Sequence, residues 1–383
     1  MLSAWRQRLL WMIFLAGVLI LGGCSPQRGY LAALVLADVA AGDGPSKLKQ
    51  TTAAPERGRI SFSVDGRRYR ADLYRPEKEA LAGLLLIPGA AEAGIDDPRL
   101  VALATTLARV RFAVLVPELT GLKELRVGPV NIGEVSDLFA WLASRPELAP
   151  QGRAGMAAFS YGAGPALLAA LEPAIREKVQ FILAVGGYHD LVAVLTFFTT
   201  GYFQKDDQWR TLEPNVYGKW VFVRSNAERL ADPADRHLIN LIAERRMADP
   251  EAPLADLVAR LGPEGKAVHA FVTNRDPSRV RSLLKELPAG IREDIAALNL
   301  ASRDLSRLRA RLLLVHGYDD NIIPHTQSIA LARAVPRDQA RLFLVKGLVH
   351  VDIKPGLLSR WRMWRAIDAL LAERSGKGIS VQD

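Results

Sequence analysis

Residues 155–164 read Gly-Met-Ala-Ala-Phe-Ser-Tyr-Gly-Ala-Gly, with Ser160 in sixth position. An apolar run ends here in a serine, and a segment of small residues follows at once. The pattern predicts a buried strand, a sharp turn and a helix, which together lift the serine hydroxyl above the edge of a sheet. Ala158 and Gly162 flank Ser160 two positions away on either side, and their small size allows strand and helix to pass closely. The stretch therefore predicts Ser160 as a nucleophile on a strand-to-helix turn.

Apolar strands alternate with helices on both sides of this turn. The predicted strands are 82–87, 112–117, 155–159, 179–185, 310–315 and 340–345, and the predicted helices are 100–110, 131–144, 162–171 and 357–373. A hairpin precedes them, in which Asp65-Gly66 joins residues 59–64 to residues 69–74. Alternating strands and helices imply a parallel sheet covered on both faces. The expected fold class is α/β, with a mostly parallel sheet and an N-terminal antiparallel hairpin.

The alternation stops between residues 190 and 308. This region contains no convincing strand pair, shows helical charge patterns and carries an aromatic cluster of Phe197, Phe198, Tyr202, Phe203 and Trp209. Because the sheet pattern resumes at Ala310, the region is predicted to be a helical cap inserted above the carboxyl ends of the strands, rather than a separate domain. The aromatic residues suggest an apolar acyl pocket, and core packing is the alternative explanation.

The first residues predict an export signal. Arg6 and Arg8 precede an apolar run over residues 9–21, which ends in Leu21-Gly22-Gly23-Cys24. Such a run is too short for the ~20 residues that a helix needs to span a membrane, and it is typical of a secretory signal peptide. Cys24 is the only cysteine of the chain, so no intrachain disulfide can form.

The Leu-Gly-Gly-Cys ending resembles a bacterial lipobox. The resemblance implies removal of residues 1–23, acylation of Cys24 with chains such as palmitate, and anchoring in the cell envelope through lipid. Ser25, where an aspartate would favour the inner membrane, implies the outer membrane facing the periplasm. An uncleaved membrane anchor is the alternative.

The remaining segments complete the expected organisation. Residues 24–55 are interpreted as a lipid-anchored tether, in which the apolar stretch 30–41 could form a small helix that packs on the domain. Residues 56–189 and 309–376 are expected to form the core, and residues 190–308 the cap. The 383-residue chain has a formal net charge of +9, but its basic residues are scattered. This distribution argues against nucleic acid as a partner and favours attraction to anionic lipid head groups or glycans.

A serine nucleophile needs a base, and the base needs an orienting carboxylate. After the next-to-last predicted strand, residues 316–324 read His-Gly-Tyr-Asp-Asp-Asn-Ile-Ile-Pro, and after the last strand residues 346–350 read Lys-Gly-Leu-Val-His. The order serine, aspartate, histidine, each just past the end of a strand, suits a triad at one edge of a parallel sheet.

Together these segments resemble the alpha/beta-hydrolase superfamily over about residues 59–373, apart from the cap. Esterases, lipases and dienelactone-hydrolase-like members are the nearest in pattern. The resemblance implies Asp320 as the acid, since an aliphatic residue and Pro324 follow it, and His350 as the base, since it closes a Gly-x-x-His turn. Asp190, after the strand at 179–185, is the alternative acid. The serine motif departs from the family pattern, because alanine replaces the first glycine of Gly-x-Ser-x-Gly.

The backbone N–H of Tyr161 is the first expected oxyanion donor, because it lies at the start of the helix after Ser160. The second should come from the loop after residues 82–87, with Ala90 preferred and Ala91 as the alternative. His316 is expected to be a packing residue and His325 a surface residue at a helix start. No metal site and no cofactor are expected, because the spacing of His316, Asp320 and His325 matches no familiar ligand pattern.

These observations predict a serine hydrolase that acts on a small-molecule or lipid ester. A serine peptidase or amidase of the same fold, and a catalytically silent envelope-binding protein that kept the fold, are the alternatives. The sequence leaves the natural substrate and the oligomeric state open.

Overall fold

A computed structural model describes residues 25–349, 352–353 and 357–376. The strands are β1 (Glu56–Val64), β2 (Arg67–Arg75), β3 (Ala82–Ile87), β4 (Phe112–Pro117), β5 (Ala154–Phe159), β6 (Phe181–Val185), β7 (Tyr202–Lys205), β8 (Gln208–Thr211), β9 (Arg311–Gly317), β10 (Ala340–Val345), β11 (Leu348–Val349) and β12 (Asp352–Ile353). Eight of them form one sheet in the order β1-β2-β4-β3-β5-β6-β9-β10.

The helices fall into three groups along the chain. Helices α1 (Pro26–Ala41) and α2 (Lys47–Thr51) precede the sheet, and the core helices before the cap are α3 (Pro98–Arg109), α4 (Val130–Ala143) and α5 (Ala163–Ala169). The cap contains α6 (Leu191–Thr200), α7 (Val216–Asn226), α8 (Pro233–Ala248), α9 (Ala255–Val258), α10 (Pro263–Thr273), α11 (Val280–Glu286) and α12 (Ala289–Leu298). Helices α13 (Thr326–Arg333) and α14 (Leu357–Arg374) end the core.

The sheet separates two hydrophobic cores. Side chains alternate between the faces of a strand, so Leu85 and Ile87 of β3 enter one core, whereas Leu84 and Leu86 enter the other. The first core includes residues of α4, α5 and the cap, and the second is covered by α1, α3 and α14. Helices on both faces explain why β3 and β4 are apolar throughout.

The topology confirms the predicted fold class. Strands β4, β3, β5, β6, β9 and β10 pair in parallel in that spatial order. The hairpin of β1 and β2 joins them through an antiparallel pairing of β2 with β4. At its turn, Asp65 and Gly66 have φ values of 47° and 79°, as the favoured two-residue hairpin turn requires.

The cap differs in one respect from the sequence-based expectation. It lies between β6 and β9, but it contains the antiparallel hairpin of β7 and β8 as well as helices. Asp206 and Asp207, with φ values of 50° and 58°, form its turn. Strands of four residues contain too few alternations of polarity to stand out in the sequence.

The aromatic cluster of the cap serves two environments. Phe197 and Phe198 of α6 are buried, whereas Tyr202 and Trp209 on the hairpin are exposed and contact each other edge to face, with ring centroids 6.3 Å apart. Neither a single pocket nor a single core therefore accounts for the cluster.

The segment expected to be largely a tether is mostly helical and packed. Helix α1 begins at Pro26 and contacts α14, where Arg28 pairs with Asp368 at 2.7 Å. At its other end Asp38 is buried and accepts hydrogen bonds from Ser46 and Thr106. The possible small helix in residues 30–41 is present and packs on the domain, whereas residues 47–51, interpreted as tether, form a second helix. Within the described residues, no helix is both long and apolar enough to cross a membrane.

Asp38 is expected to contribute to stability as an anion. Burial raises its pKa, but hydrogen bonds from Ser46, Thr106 and Lys49 together hold it below the ordinary value of 3.8. The Asp38→Asn variant should lower the free energy of unfolding by about 1–3 kcal/mol at pH 7, because buried donors lose a charged acceptor. Urea denaturation measures this difference.

The pH dependence has a definite sign. Because the folded-state pKa of Asp38 is depressed, its contribution is present above the ordinary pKa of 3.8 and is lost as the pH falls through the folded value. The deficit of Asp38→Asn should therefore shrink in acid. Asp43→Asn removes the same charge from an exposed position after α1 and serves as control. An equal deficit at neutral and acid pH would contradict the assignment.

Candidate active site

Ser160 lies on a strained turn at the end of β5. Strand β5 ends at Phe159, residues Ser160–Gly162 form a single 3₁₀ turn, and α5 begins at Ala163. The φ angle of Ser160 is 52°, a conformation that is uncommon for a residue with a side chain. Such strain persists where the surroundings fix the backbone, and it often occurs at functional sites.

Close backbone contacts fix this turn against the loop after β3. A Cβ atom on Gly162 would lie 2.6 Å from the carbonyl oxygen of Pro88, so only glycine fits at this position. A Cβ atom on Gly89 would lie 3.3 Å from Cβ of Ser160. The loop that was expected to supply an oxyanion donor therefore passes directly beside the Ser160 side chain.

Ser160 opens into a large cleft of about 1580 Å³. The cleft runs between the sheet edge and the cap, and it continues along α1, α3 and α14. Under the cap its walls are apolar residues of α6, α7 and α12: Leu191, Val194, Leu195, Phe198, Val221, Phe222, Ile295 and Leu298. Of the five aromatic residues proposed for an acyl pocket, Phe198 alone lines the cleft within the described residues.

The expected oxyanion residues line the same cleft. Tyr161, Ala90 and the alternative Ala91 all contribute to its wall next to Ser160. The Tyr161 hydroxyl accepts a hydrogen bond from the Gly128 N–H at 3.0 Å and donates to the Gly128 carbonyl at 2.9 Å. Burial, with a smaller contribution from Tyr188, raises the pKa of Tyr161 well above its usual value. Tyr161 is thus a neutral phenol whose side chain holds the loop after β4.

Asp320 is held rigidly in the turn after β9. Its side chain is only 1% exposed, and Oδ1 accepts hydrogen bonds from the N–H groups of Ile322 and Ile323 at 2.9 and 3.0 Å. Oδ2 lies 3.4 Å from Nε2 of His316. Asp319 is exposed and accepts a hydrogen bond from the Gly347 N–H, which ties together the two loops at this edge. The structure thus distinguishes the two neighbouring aspartates sharply.

Ser160 and Asp320 lie at the same edge of the sheet. Phe159 of β5 is in register with Val185 of β6, which is in register with Val315 of β9. With strands about 4.8 Å apart, the ends of β5 and β9 are separated by about 10 Å. Ile322 and Ile323, two and three residues after Asp320, line the cleft that contains Ser160. The carboxyl ends of the strands before Ser160 and Asp320 are thus two strand spacings apart, with β6 between them.

His350 and Cys24 lie outside the described residues. The segment before His350 is described: Leu348 approaches Gly317 so closely that a Cβ atom on Gly317 would collide with the Leu348 carbonyl oxygen. Gly347, with a φ of 73°, forms the bend that brings this segment over the end of β9. The chain is thus led from β10 toward the loop that carries Asp320.

The two histidines near Asp320 have structural environments. His316 is fully buried, with Nδ1 2.6 Å from Oγ of Ser328 and Nε2 2.8 Å from the Ile323 carbonyl oxygen. The packing role expected for it agrees with these contacts. His325 does precede α13, but the prediction of a surface position was wrong, because it is only 6% exposed and packs against Tyr318 with ring centroids 4.7 Å apart. Burial lowers the pKa of His325, and His316 and Lys205 lower it further.

The alternative acid, Asp190, caps a helix. Its Oδ1 accepts hydrogen bonds from the N–H groups of Val192 and Ala193 at 2.9 and 3.3 Å, at the start of α6. This is an ordinary helix N-cap. Among the described residues, no group of three histidine, cysteine or acidic side chains is arranged to hold a metal ion.

The sequence reasoning missed the far end of the cleft. Residues of α1 and α14, among them Ala33, Leu36, Trp361 and Trp364, line it together with Leu103 of α3. The available signal was the composition of α1, which is apolar over nearly its whole length. A helix that is apolar on all sides requires apolar neighbours all round.

The catalytic roles of Ser160, Asp320, His350, Tyr161 and Ala90 stay predictions.

The chain is similar to several solved structures. One is a 2,6-dihydroxy-pseudo-oxynicotine hydrolase, with 16% sequence identity, a TM-score of 0.48, and coverage of 85% of this chain and 70% of that one. Another is an esterase from Pyrobaculum calidifontis, with 14% identity, a TM-score of 0.45, and coverage of 92% of each chain. The chain is also similar to a dienelactone hydrolase from Anabaena variabilis, with 15% identity, a TM-score of 0.44, and coverage of 83% of this chain and 98% of that one. No curated protein matches the chain significantly.

The family model described as X-Pro dipeptidyl-peptidase (S15 family) matches residues 65–351, which is well over half of the chain. The match includes the strand-to-helix turn of Ser160, the cap and the loop of Asp320. The chain therefore belongs to the S15 peptidase family and is a hydrolase of the alpha/beta-hydrolase fold.

Proposed function

We propose that the chain is a serine hydrolase that cleaves carboxylic esters through an acyl-enzyme. The observation that carries the proposal is Ser160, held at a φ of 52° on a turn that opens into a large apolar cleft. A hydroxyl in this position can reach a carbonyl carbon that binds above the sheet edge. The apolar walls under the cap suit an acyl group rather than a charged ligand.

The reaction follows from the roles proposed for the residues. Ser160 attacks the ester carbonyl carbon as His350 accepts its proton, and Asp320 orients His350 and stabilises the imidazolium. The backbone N–H groups of Tyr161 and Ala90 bind the oxyanion. His350 then protonates the leaving alcohol as the ester C–O bond breaks. Water, deprotonated by His350, hydrolyses the acyl-enzyme and restores the Ser160 hydroxyl.

A peptidase that removes dipeptides is the second candidate, and membership of the S15 family favours it. Such an enzyme must receive the ammonium group of a peptide N-terminus, which needs an acidic partner in an apolar cleft. The described residues that line the cleft include two acids, Asp97 and Asp294. Asp97 pairs with Arg99 at 2.9 Å, and Asp294 pairs with Arg229 at 2.7 Å. Because both carboxylates already have arginine partners, the cleft favours an ester.

The Ser160→Ala variant should lose hydrolysis of chromogenic esters and labelling by a fluorophosphonate probe, because it removes the attacking oxygen. Its far-ultraviolet circular dichroism should match that of the unmodified protein, since alanine is smaller than serine at this partly exposed turn. Both activities are measured on the purified protein.

An X-Pro-nitroanilide substrate, measured beside the esters, separates the two candidates. Turnover of this amide together with absence of ester hydrolysis would replace the proposed function by peptidase activity. An unmodified protein that neither turns over an ester nor reacts with the probe would instead indicate a silent envelope-binding protein.

The two neighbouring aspartates provide a matched pair of variants. Asp320→Asn should lower ester turnover by on the order of 10⁴-fold, because the base loses the carboxylate that orients it. Asp319→Asn should change turnover little, since Asp319 is exposed and accepts its hydrogen bond from the Gly347 backbone. Steady-state kinetics measures both. A severe loss of turnover in Asp319→Asn alone would identify Asp319 as the acid. A comparable loss in Asp190→Asn alone would identify Asp190 as the acid.

We also propose that the protein is anchored by lipid on Cys24 in a bacterial cell envelope, at the periplasmic face of the outer membrane. The proposal is supported by the apolar run and the Leu-Gly-Gly-Cys ending of residues 21–24. In Cys24→Ala, processing at the lipobox should fail and labelling with a palmitate analogue should be lost. Palmitate labelling and fractionation of the membranes measure these results. Unchanged labelling would exclude Cys24 as the acylated residue.

A further inference from the structure

The cleft does not end at Ser160. Beyond the catalytic turn it continues into a distal arm, which we define by its lining residues Ala33, Leu36, Ala37, Leu103, Trp361 and Trp364. These residues come from α1, α3 and α14. The total volume of about 1580 Å³ exceeds the about 300–1,000 Å³ of clefts that hold drug-sized ligands. The space therefore suits a ligand that extends from Ser160 into the distal arm.

Helix α1 presents an apolar stripe to this arm. Ala33, Ala37 and Ala40 recur every three or four residues, are exposed and line the cleft. Residues at this spacing share one face of a helix. On the opposite face Ala32 and Val35 are buried in the core. This stripe therefore gives the distal arm an apolar wall that an apolar ligand can contact.

Ionic and polar contacts hold α1 in this position. At its start Arg28 binds both carboxylate oxygens of Asp368 in α14, and the Trp364 indole N–H donates to the Gly29 carbonyl oxygen at 2.8 Å. Near its end Asp38 is buried and bonded to Ser46 and Thr106. The wall of the distal arm is therefore preformed.

We define the mouth of the distal arm by Trp361, which is exposed and lines the cleft, and the helices α1 and α14 beside it carry further side chains that are typical of a membrane-facing surface. Tyr30 on α1 is 62% exposed, and Leu358 and Trp361 on α14 are 60% and 50% exposed. The guanidinium of Arg365 lies 5.1 Å from the Trp361 ring centroid, and Arg360 lines the cleft nearby. Aromatic and arginine side chains are typical of proteins that sit at the membrane–water interface. Without residues 1–23, which carry Arg6 and Arg8, the formal net charge of +9 becomes +7, and this excess of positive charge adds attraction to anionic head groups.

The proposed anchor lies close to this mouth. The described chain begins at Ser25, next to Cys24, and α1 begins at Pro26. With a rise of 1.5 Å per residue, Tyr30 lies only about 6 Å along the helix axis from Pro26. Acyl chains on Cys24 would hold the start of α1 at the bilayer surface, so that the mouth of the distal arm faces the lipid.

We propose that the distal arm binds the acyl chain of a membrane lipid, and that the substrate of Ser160 is a long-chain lipid ester drawn from the bilayer. This inference rests on the proposed function, because it needs ester cleavage at Ser160. The bond formed joins Oγ of Ser160 to the acyl carbonyl carbon, and the bond broken joins that carbon to the oxygen of the lipid alcohol. The alcohol leaves with the proton from His350, and water then releases the fatty acid.

The test blocks the arm without touching the reacting residues. Ala37→Trp and, independently, Ala33→Trp place an indole in the distal arm from exposed positions of α1. Gln27→Trp adds the same ring to an exposed position of the same helix that is not among the described residues lining the cleft, so it controls for a general effect of tryptophan. Full-length protein is assayed with p-nitrophenyl acetate and palmitate in mixed micelles, and with vesicles of phosphatidylglycerol by release of fatty acid.

The unmodified protein should prefer the palmitoyl ester and should release fatty acid from the vesicles. Ala37→Trp and Ala33→Trp should keep kcat/KM for the acetyl ester within about twofold but lose at least about tenfold for the palmitoyl ester, the effect of excluding a few methylene groups from an apolar site. Gln27→Trp should behave as the unmodified protein. Retained acetyl turnover shows that each variant is folded.

A chain-length preference that stays unchanged in both blocking variants would overturn the distal arm as the acyl site. A preference of the unmodified protein for the acetyl ester would also overturn it. Either result leaves the proposed function in place as long as acetyl hydrolysis depends on Ser160. Acetyl hydrolysis that persists in Ser160→Ala would instead overturn the proposed function itself.

Discussion

The contact on which the candidate site depends is between two pieces of backbone. The turn after β5 and the loop after β3 approach until Gly162 has no room for a Cβ atom beside the Pro88 carbonyl. The register of β3 with β5, in which Ile87 is opposite Ala158, sets this approach. Because both segments are fixed, the backbone at Ser160 is held at a positive φ that it would otherwise avoid. The strain at one residue is therefore maintained by the pairing of the whole sheet.

The sequence predicted those features that depend on neighbours along the chain. Strands and helices differ in their period of polarity, so their alternation shows in the residues themselves. The turn at Ser160 is recognisable for the same reason, because small residues two positions away on either side suffice to indicate it. Asp320 was selected over Asp319 from the residues that follow it, and the structure gives these two aspartates opposite environments, one buried and one exposed.

Features that depend on distant residues could not be predicted in this way. His325 looked like a surface residue at a helix start, yet Phe203 of the cap and Tyr318 of the core both contact its ring and bury it. The Gly/Pro/Ser/Lys/Thr region after residue 41 is interpreted as tether from its composition, but Ser46 bonds to Asp38 of α1, and Asp38 also bonds to Thr106 of α3. In both cases the deciding contact joins segments whose proximity only the folded chain creates.

The cleft likewise has one part that depends on neighbours along the chain and another, the distal arm, that depends on distant residues. Under the cap, apolar residues of three cap helices form the wall, and this part follows from an insertion above the sheet edge. The distal arm instead depends on an ion pair between Arg28 and Asp368, which lie at opposite ends of the chain. This pair is largely shielded from solvent, so removing either partner would leave the other charge buried without it, which is strongly destabilising. The docking of α1 on α14 therefore joins two segments that are far apart in sequence, and it completes the wall of the cleft that extends from α1 to Ser160.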